Sequence, residues 1–320
     1  MRLIEVGGWH PHLPAAELSA VAGRSLFQVA ERVYVLPGDV DVGRLAYSHR
    51  ALAYVGGSRD LRPPSALHTK VAGSYAVRVH DPEHLLPRSA RAQVIDEVWR
   101  SLPERSVDLR DPAHEVNVYV TAGGLHWALL LDEPVRGRLG DRDPMRRPFF
   151  RSVLVPRRRA RCLVNLTGVQ PGQRFLDPFC GTGALLVEAA LIGAEAHGSD
   201  IDPVMVAGSR QNLHHEALPG HLRRIDARQL AGWGTTFDAI ATDIPYGRSA
   251  STHGSDPGEL FQRLLVSAGN ALRPGASAVV MAPAGLPLPE HHQFAVLARF
   301  RERASASLTR EIWSLRKTTG

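Results

Sequence analysis

Asp177-Pro178-Phe179-Cys180-Gly181-Thr182-Gly183 is the stretch from which the rest of the chain is read. Phe175-Leu176 before it reads as a short strand, and Gly183 to Ile192 after it reads as a helix. Glycine in a strand-to-helix turn lets a ligand approach the backbone without meeting a Cβ, and the first helix amides present unpaired donors. The dinucleotide fingerprint G-x-G-x-x-G does not fit, because Leu186 stands where its third Gly would fall. The Gly-Lys-Ser/Thr ending of a nucleotide P-loop is missing as well. Asp177 at the mouth of the turn would repel a pyrophosphate and would suit a ligand carrying an ammonium or a sulfonium.

Strands and helices alternate onward from the turn. Ala194 to Gly198 reads as a strand, Pro203 to Leu213 as a helix, Phe237 to Thr242 as a strand, Glu259 to Leu272 as a helix and Ala276 to Met281 as a strand. This spacing predicts an α/β domain, a parallel sheet with helices on both faces. Phe294 to Arg301 and Leu308 to Leu315 read as an antiparallel pair closing one sheet edge. Asp200 ends the second strand and suits a ribose, whose two hydroxyls one carboxylate can accept. Asp226 follows the expected third strand, within reach of an adenine amino group. Each acid taken singly also fits a helix or turn cap. Three acids at successive carboxyl ends beside one Gly turn favour a nucleoside site at the topological switch point.

The strand Phe237 to Thr242 closes on Asp243-Ile244-Pro245-Tyr246-Gly247. This segment resembles the Asp/Asn-Pro-Pro-Tyr motif of S-adenosylmethionine-dependent enzymes that methylate exocyclic amino groups of bases. Such a nitrogen is a poor nucleophile, because its lone pair is delocalised into the ring. A carboxylate and a backbone carbonyl that accept its N–H bonds would localise the pair and aim it at a sulfonium methyl. Orientation of this kind supplies several kcal/mol of a barrier. Tyr246 stacks on the target base or packs as an ordinary core aromatic; stacking is worth about 1–3 kcal/mol per base. Ile244 replaces the commoner Pro but contributes the same backbone carbonyl.

The N-terminal half has another texture. Leu26 to Leu36, Ala51 to Val55 and Val71 to Val79 read as strands, Leu86 to Arg100 as a surface helix, and Val116 to Leu131 as a hairpin turning at Ala122-Gly123-Gly124. Together they predict a small α+β region. A composition of 44% hydrophobic and 22% charged residues fits a soluble globular protein. No apolar run approaches a membrane span, and Met-Arg-Leu-Ile-Glu at the start has no signal-peptide core, so a cytoplasmic protein without a membrane is expected. Cys162 and Cys180 are the only cysteines, which excludes a disulfide scaffold, and the 15 His show no paired ligand spacing. No catalytic metal is expected. The net charge is +6, and all but two of the 38 basic residues (Lys70 and Lys317) are Arg. Arginines crowd between Arg136 and Arg161, a stripe suited to a phosphate backbone or to a solvated linker.

Arg147-Pro148-Phe149-Phe150, Pro156 and Arg159-Ala160-Arg161-Cys162-Leu163-Val164-Asn165-Leu166 lead into the cofactor turn, and Ser307-Leu308-Thr309-Arg310-Glu311-Ile312-Trp313 lies near the end. With the two motifs, these segments resemble the THUMP-containing tRNA guanine-N2 methyltransferases, above all the archaeal members that dimethylate guanosine 10. The resemblance implies a Rossmann-like S-adenosylmethionine-dependent methyltransferase domain over 161–320. Ahead of it come a ferredoxin-like region over 1–65, a THUMP-like RNA-binding domain over 66–135 and an Arg-rich linker over 136–160. It further implies that Asp177, Pro178, Gly181 and Gly183 form the cofactor turn, that Asp200 holds the ribose and that Asp226 meets the adenine. Asp243, Pro245 and Tyr246 would form the amino-group site. Phe149 and Phe150 wall the methionine end of the cofactor or belong to the core. Arg151-Ser152-Val153-Leu154 departs from the family pattern after the paired Phe.

The expected activity is therefore methylation of a guanosine N2 amino group in tRNA, a stem base having first to be unstacked at a few kcal/mol. An adenine-N6 methyltransferase acting on DNA or ribosomal RNA would share the Asp-x-Pro-Tyr chemistry. An inactive RNA-binding protein is a third reading, which the intact Gly turn and acids disfavour.

Overall fold

The computed structural model describes residues 1–102, 106–131, 144–151, 155–245, 256–289, 293–304 and 308–319. The chain forms two compact units. One is built from Met1–Gly8, Arg24–Gly43 and Ser48–Arg138, and the other from Trp9–Gly23, Arg44–Tyr47 and Leu139–Gly320.

The first unit is one sheet of seven strands: β1 (Arg2–Val6), β2 (Phe27–Ala30), β3 (Val33–Leu36), β4 (Ser48–Ser58), β5 (Tyr75–His80), β6 (His114–Thr121) and β7 (Gly124–Leu130), in the order β2-β3-β1-β4-β7-β6-β5. Among these described strands, β5 and β6 alone pair in parallel. The alternation of Val116, Val118 and Val120 puts all three on the face where Leu67, Val94, Val98 and Trp127 are buried with them. Leu67 belongs to a short helix, α2 (Ala66–Lys70), and the two Val to α3 (Arg88–Ser101). At the hairpin Gly124 has φ 130° and lies so near β4 that a Cβ would stand 2.3 Å from the Ser58 carbonyl oxygen, so no other residue fits. The division expected at residue 65 falls inside this sheet, because β4 pairs with β1 on one side and β7 on the other.

The second unit begins with a helix taken from far upstream, α1 (Leu13–Ala22), followed by α4 (Arg157–Leu166). Its sheet holds β8 (Arg174–Asp177), β9 (Glu195–Asp200), β10 (His221–Arg224), β11 (Phe237–Asp243), β12 (Leu272–Pro283), β13 (Phe294–Arg303) and β14 (Thr309–Lys317), in the order β10-β9-β8-β11-β12-β14-β13. The first five are parallel, and β14 and β13 close the edge antiparallel. One face is covered by α4, α5 (Ala184–Leu191) and α6 (Pro203–His215), the other by a 3₁₀ segment, Ala227–Trp233, and α7 (Pro257–Ala271). Among the described residues no helix is long and apolar enough to cross a membrane.

Two further features depart from the expectations. The linker placed over 136–160 ends in the first turn of α4, which opens at Arg157 and buries Ala160 through Leu166; residues 132–143 lie outside the described residues. The second is α1, which had no counterpart among the expected elements. Its Glu17 is buried and accepts from the Ala46 N–H at 2.8 Å, the Tyr47 N–H at 3.1 Å and Asn165 Nδ2 at 2.7 Å. Arg44 in turn donates to Asn165 Oδ1 at 2.9 Å. Burial pushes the Glu17 carboxyl up to about 7 in spite of its three donors.

Candidate active site

Chain order in the second sheet reverses at β8. β9 and β10 run off on one side and β11 and β12 on the other, which leaves a crevice outside the carboxyl ends of β8 and β11. Asp177 ends β8, Asp200 ends β9 and Asp243 ends β11, so the sheet brings these three acids to one rim. The turn from Pro178 to Gly183 uses left-handed backbone at Gly181, φ 49°, and at Gly183, φ 81°. It is pinned to β9 by Cys180 N–H donating to the Ser199 carbonyl at 2.9 Å, and it closes on itself through Gly183 N–H to the Cys180 carbonyl at 2.7 Å.

Asp200 links the turn to the next loop. Its Oδ2 accepts from Gly181 N–H at 3.1 Å and its Oδ1 from Asp202 N–H at 3.0 Å. A carboxylate at this strand end is the group that accepts ribose hydroxyls in doubly wound nucleoside sites. Asp177 is buried, with Oδ1 accepting from Thr242 Oγ1 at 2.6 Å and from Phe179 N–H at 3.2 Å. Burial, with help from the neighbouring Asp200 and Asp243, raises its carboxyl to about 7. Asp226 is engaged differently. It caps the 3₁₀ segment through Arg228 N–H at 2.9 Å and also accepts from the Arg228 guanidinium, which holds its carboxyl below the usual range.

Asp243 combines burial with an open valence. Among the described residues its Oδ1 is buried without a hydrogen-bond partner, and burial raises its carboxyl to about 7 against the pull of Arg310 and Arg159. A buried acceptor left unpaired costs about 1–3 kcal/mol, so its retention here points to a donor brought by a ligand. The following backbone is fixed, because Ile244 N–H donates to the Met281 carbonyl at 3.0 Å. Pro245 is half-buried, and Tyr246 lies outside the described residues.

The first of the paired Phe is tied to α6. Asn212 accepts from Phe149 N–H at 3.0 Å through Oδ1, while its Nδ2 donates to the Phe149 and Thr182 carbonyls, both at 2.8 Å. The Phe149 ring lies directly on Gly208, where a Cβ would stand 2.1 Å from a ring carbon. Phe150 is 40% exposed, which sets aside a place in the core for it. Asn212, Thr242 and Ser209, whose Oγ donates to the Gly181 carbonyl at 2.6 Å, were not among the expected site residues. One signal was available for Thr242, a hydroxyl ending an otherwise apolar strand just before Asp243. Nothing local marks Asn212.

Comparison with known proteins gives consistent matches. The family model described as UPF0020, RMKL-like, methyltransferase domain, matches residues 144–307. The chain is 31% identical to the tRNA (guanine(10)-N2)-dimethyltransferase of Methanothermobacter thermautotrophicus, over 95% of each chain. It is 33% identical to the protein of the same name from Pyrococcus abyssi, over 97% of this chain and 98% of the relative. The crystal structure of TrmN from Thermus thermophilus superposes over 99% of both chains with a TM-score of 0.52 at 22% identity, a likeness of fold.

Proposed function

Since the chain belongs to the tRNA (guanine(10)-N2)-dimethyltransferases within the RMKL-like methyltransferase family, we propose that it transfers methyl groups from S-adenosylmethionine to the N2 amino group of guanosine 10 in tRNA. The observation that carries this reading is the buried Oδ1 of Asp243, without a partner among the described residues, at the switch-point crevice beside a Gly turn and two further acids. The donor set fits the cofactor. Asp200 ends β9, where a carboxylate meets the ribose in doubly wound folds, the Gly181–Gly183 backbone offers close approach, and carboxylates on the rim favour a cationic ligand over a pyrophosphate. Asp226 would turn part of its carboxylate from Arg228 toward the adenine, and Phe149 and Phe150 would flank the methionine end.

Bound S-adenosylmethionine supplies an electrophilic methyl group on a sulfonium. The chain supplies the rest. Asp243 Oδ1 accepts one N–H of the guanine amino group and the Ile244 carbonyl accepts the other, so the nitrogen lone pair is freed from the ring and aimed. As nitrogen becomes cationic on alkylation it loses a proton. A carboxyl poised near neutral pH is matched to take it at Oδ1. Pro245 stiffens the segment after Ile244, and Tyr246 is assigned to stack on the flipped base. The first unit is assigned to dock the tRNA body in the manner of a THUMP domain.

The test is methyl transfer from labelled cofactor to unmodified tRNA, followed by mass spectrometry of the nucleosides. N2-methylated or N2,N2-dimethylated guanosine at position 10 is expected. Methyladenosine would move the protein to the adenine-N6 reading. No transfer by folded protein that binds tRNA would overturn the assignment.

A further inference from the structure

A charged cluster lies against Asp243 that the cofactor and base assignments leave unused. Asp243 is in register with Met281 on β12, and Met281 with Ile312 on β14. Two residues along the same face come Pro283, Arg310 and Glu302, again in register across β12, β14 and β13. α4 packs over β11 and β12 on this face, and its Arg159 is ion-paired with the buried Glu302, whose Oε2 has no hydrogen-bond partner among the described residues. Arg159, Arg310 and Glu302 together carry one net positive charge. An ionised Asp243 neutralises it and a protonated one does not. Both arginines are half-buried, where a positive charge is less fully hydrated than at the open surface, so this composition favours the carboxylate form.

We propose that Arg310, supported by the Arg159–Glu302 ion pair, is a positioning residue for amino-group methylation, holding Asp243 ionised with Oδ1 turned toward the substrate. The proposal rests on the reading of Asp243 as the amino-group acceptor. The charged groups facing Asp243 are Arg159 from α4, Glu302 from β13, Arg310 from β14 and Asp177 from β8, the last coupled to Asp200. Burial and the two acids oppose ionisation, and the two guanidiniums support it. None of the cluster residues lies in the cofactor turn, so their loss should act on turnover rather than on cofactor affinity.

The experiment compares full-length wild type, Arg310→Met, Arg310→Lys and Glu302→Gln in two measurements. The first is the pH profile of single-turnover methyl transfer with saturating cofactor and tRNA. The acid limb should move to higher pH in Arg310→Met, giving roughly a 3–10-fold greater loss than wild type at mildly acidic pH. It should move to lower pH in Glu302→Gln and return toward wild type in Arg310→Lys, with cofactor affinity within a few-fold throughout. The second is the ¹³C carboxyl titration of Asp243 by NMR in the cofactor-free enzyme, assigned with Asp243→Asn, which needs no activity. Its midpoint should shift in the same opposite directions. Activity lost equally at all pH with an unmoved midpoint would assign the cluster to folding alone and overturn the proposal. Loss of methyl transfer in the wild type would instead count against the function, while the carboxyl titration still decides the role of Arg310.

Discussion

Asp177 and Asp243 end adjacent strands and are joined through one side chain, since Thr242 precedes Asp243 and donates its hydroxyl to Asp177. Replacing Asp243 by Ala should abolish turnover, by at least about 10²-fold as for other acid–base groups, with cofactor affinity held within a few-fold. Calorimetry beside the tRNA assay separates the two quantities. Thr242→Val keeps the shape and removes the donor to a buried carboxyl. A loss of about 1–3 kcal/mol in urea unfolding at neutral pH is expected, together with weaker cofactor binding. Asp243 was legible in the sequence because an apolar strand ended on an acid followed two residues later by Pro. Its setting was not. Thr242 meets Asp177 across 65 positions and Arg159 meets Glu302 across 143, and no local window contains either pair.

Among the elements, β8, α5, β9, α6, β11 and α7 were readable, because apolar residues recur in most of them and Gly, Pro or Asp marks most of their ends. α4 was hidden by its arginines. Its outer face is so basic that the segment read as a connector, while Ala160, Leu163 and Val164 on the inner face are buried. α1 was hidden by Glu17, an acid on a buried face whose partner Asn165 lies 148 positions away. α6 carries the prediction at this scale. Gly208 is where the Phe149 ring seats, and Gly208→Ala should displace it and the Asn212 clamp with it. Overpacking of this kind costs about 1–3 kcal/mol. Cofactor affinity should fall along with the midpoint of thermal unfolding, and Phe149→Ala in the same background should recover part of the stability. No recovery would remove Phe149 as the obstructing group.

Across the whole molecule the buried carboxyls set the pH response. Glu17, Asp177 and Asp243 have pKa values raised to about 7, so each contributes stability that is full below the ordinary carboxylate range and lost as pH rises through 7. His197 is lowered to about 4, chiefly by burial, and its contribution runs the other way, present above its ordinary value and lost as pH falls through 4. Three groups oppose one in the window they share. The cofactor-free protein should therefore unfold at a lower temperature at about pH 7.5 than at about pH 5.5. Scanning fluorimetry across that range checks the sign, and Glu17→Gln should flatten the slope. Below about pH 4 the trend should reverse, as Asp81, Asp226 and Glu311, all held below their usual range, lose their partners.

The placement of α1 has a consequence for synthesis. Its buried face, with Leu13, Glu17 and Leu18, leaves the ribosome long before Asn165 does, 148 residues ahead of the partner that Glu17 waits for. At about 5–20 residues per second that interval is roughly 7–30 s. Any folding of the nascent first sheet in that interval takes place around an insertion whose docking helix, α4, is still unmade. Ribosome-bound chains halted before α4 emerges should thus leave residues 9–23 open to protease, and chains halted after it should close them.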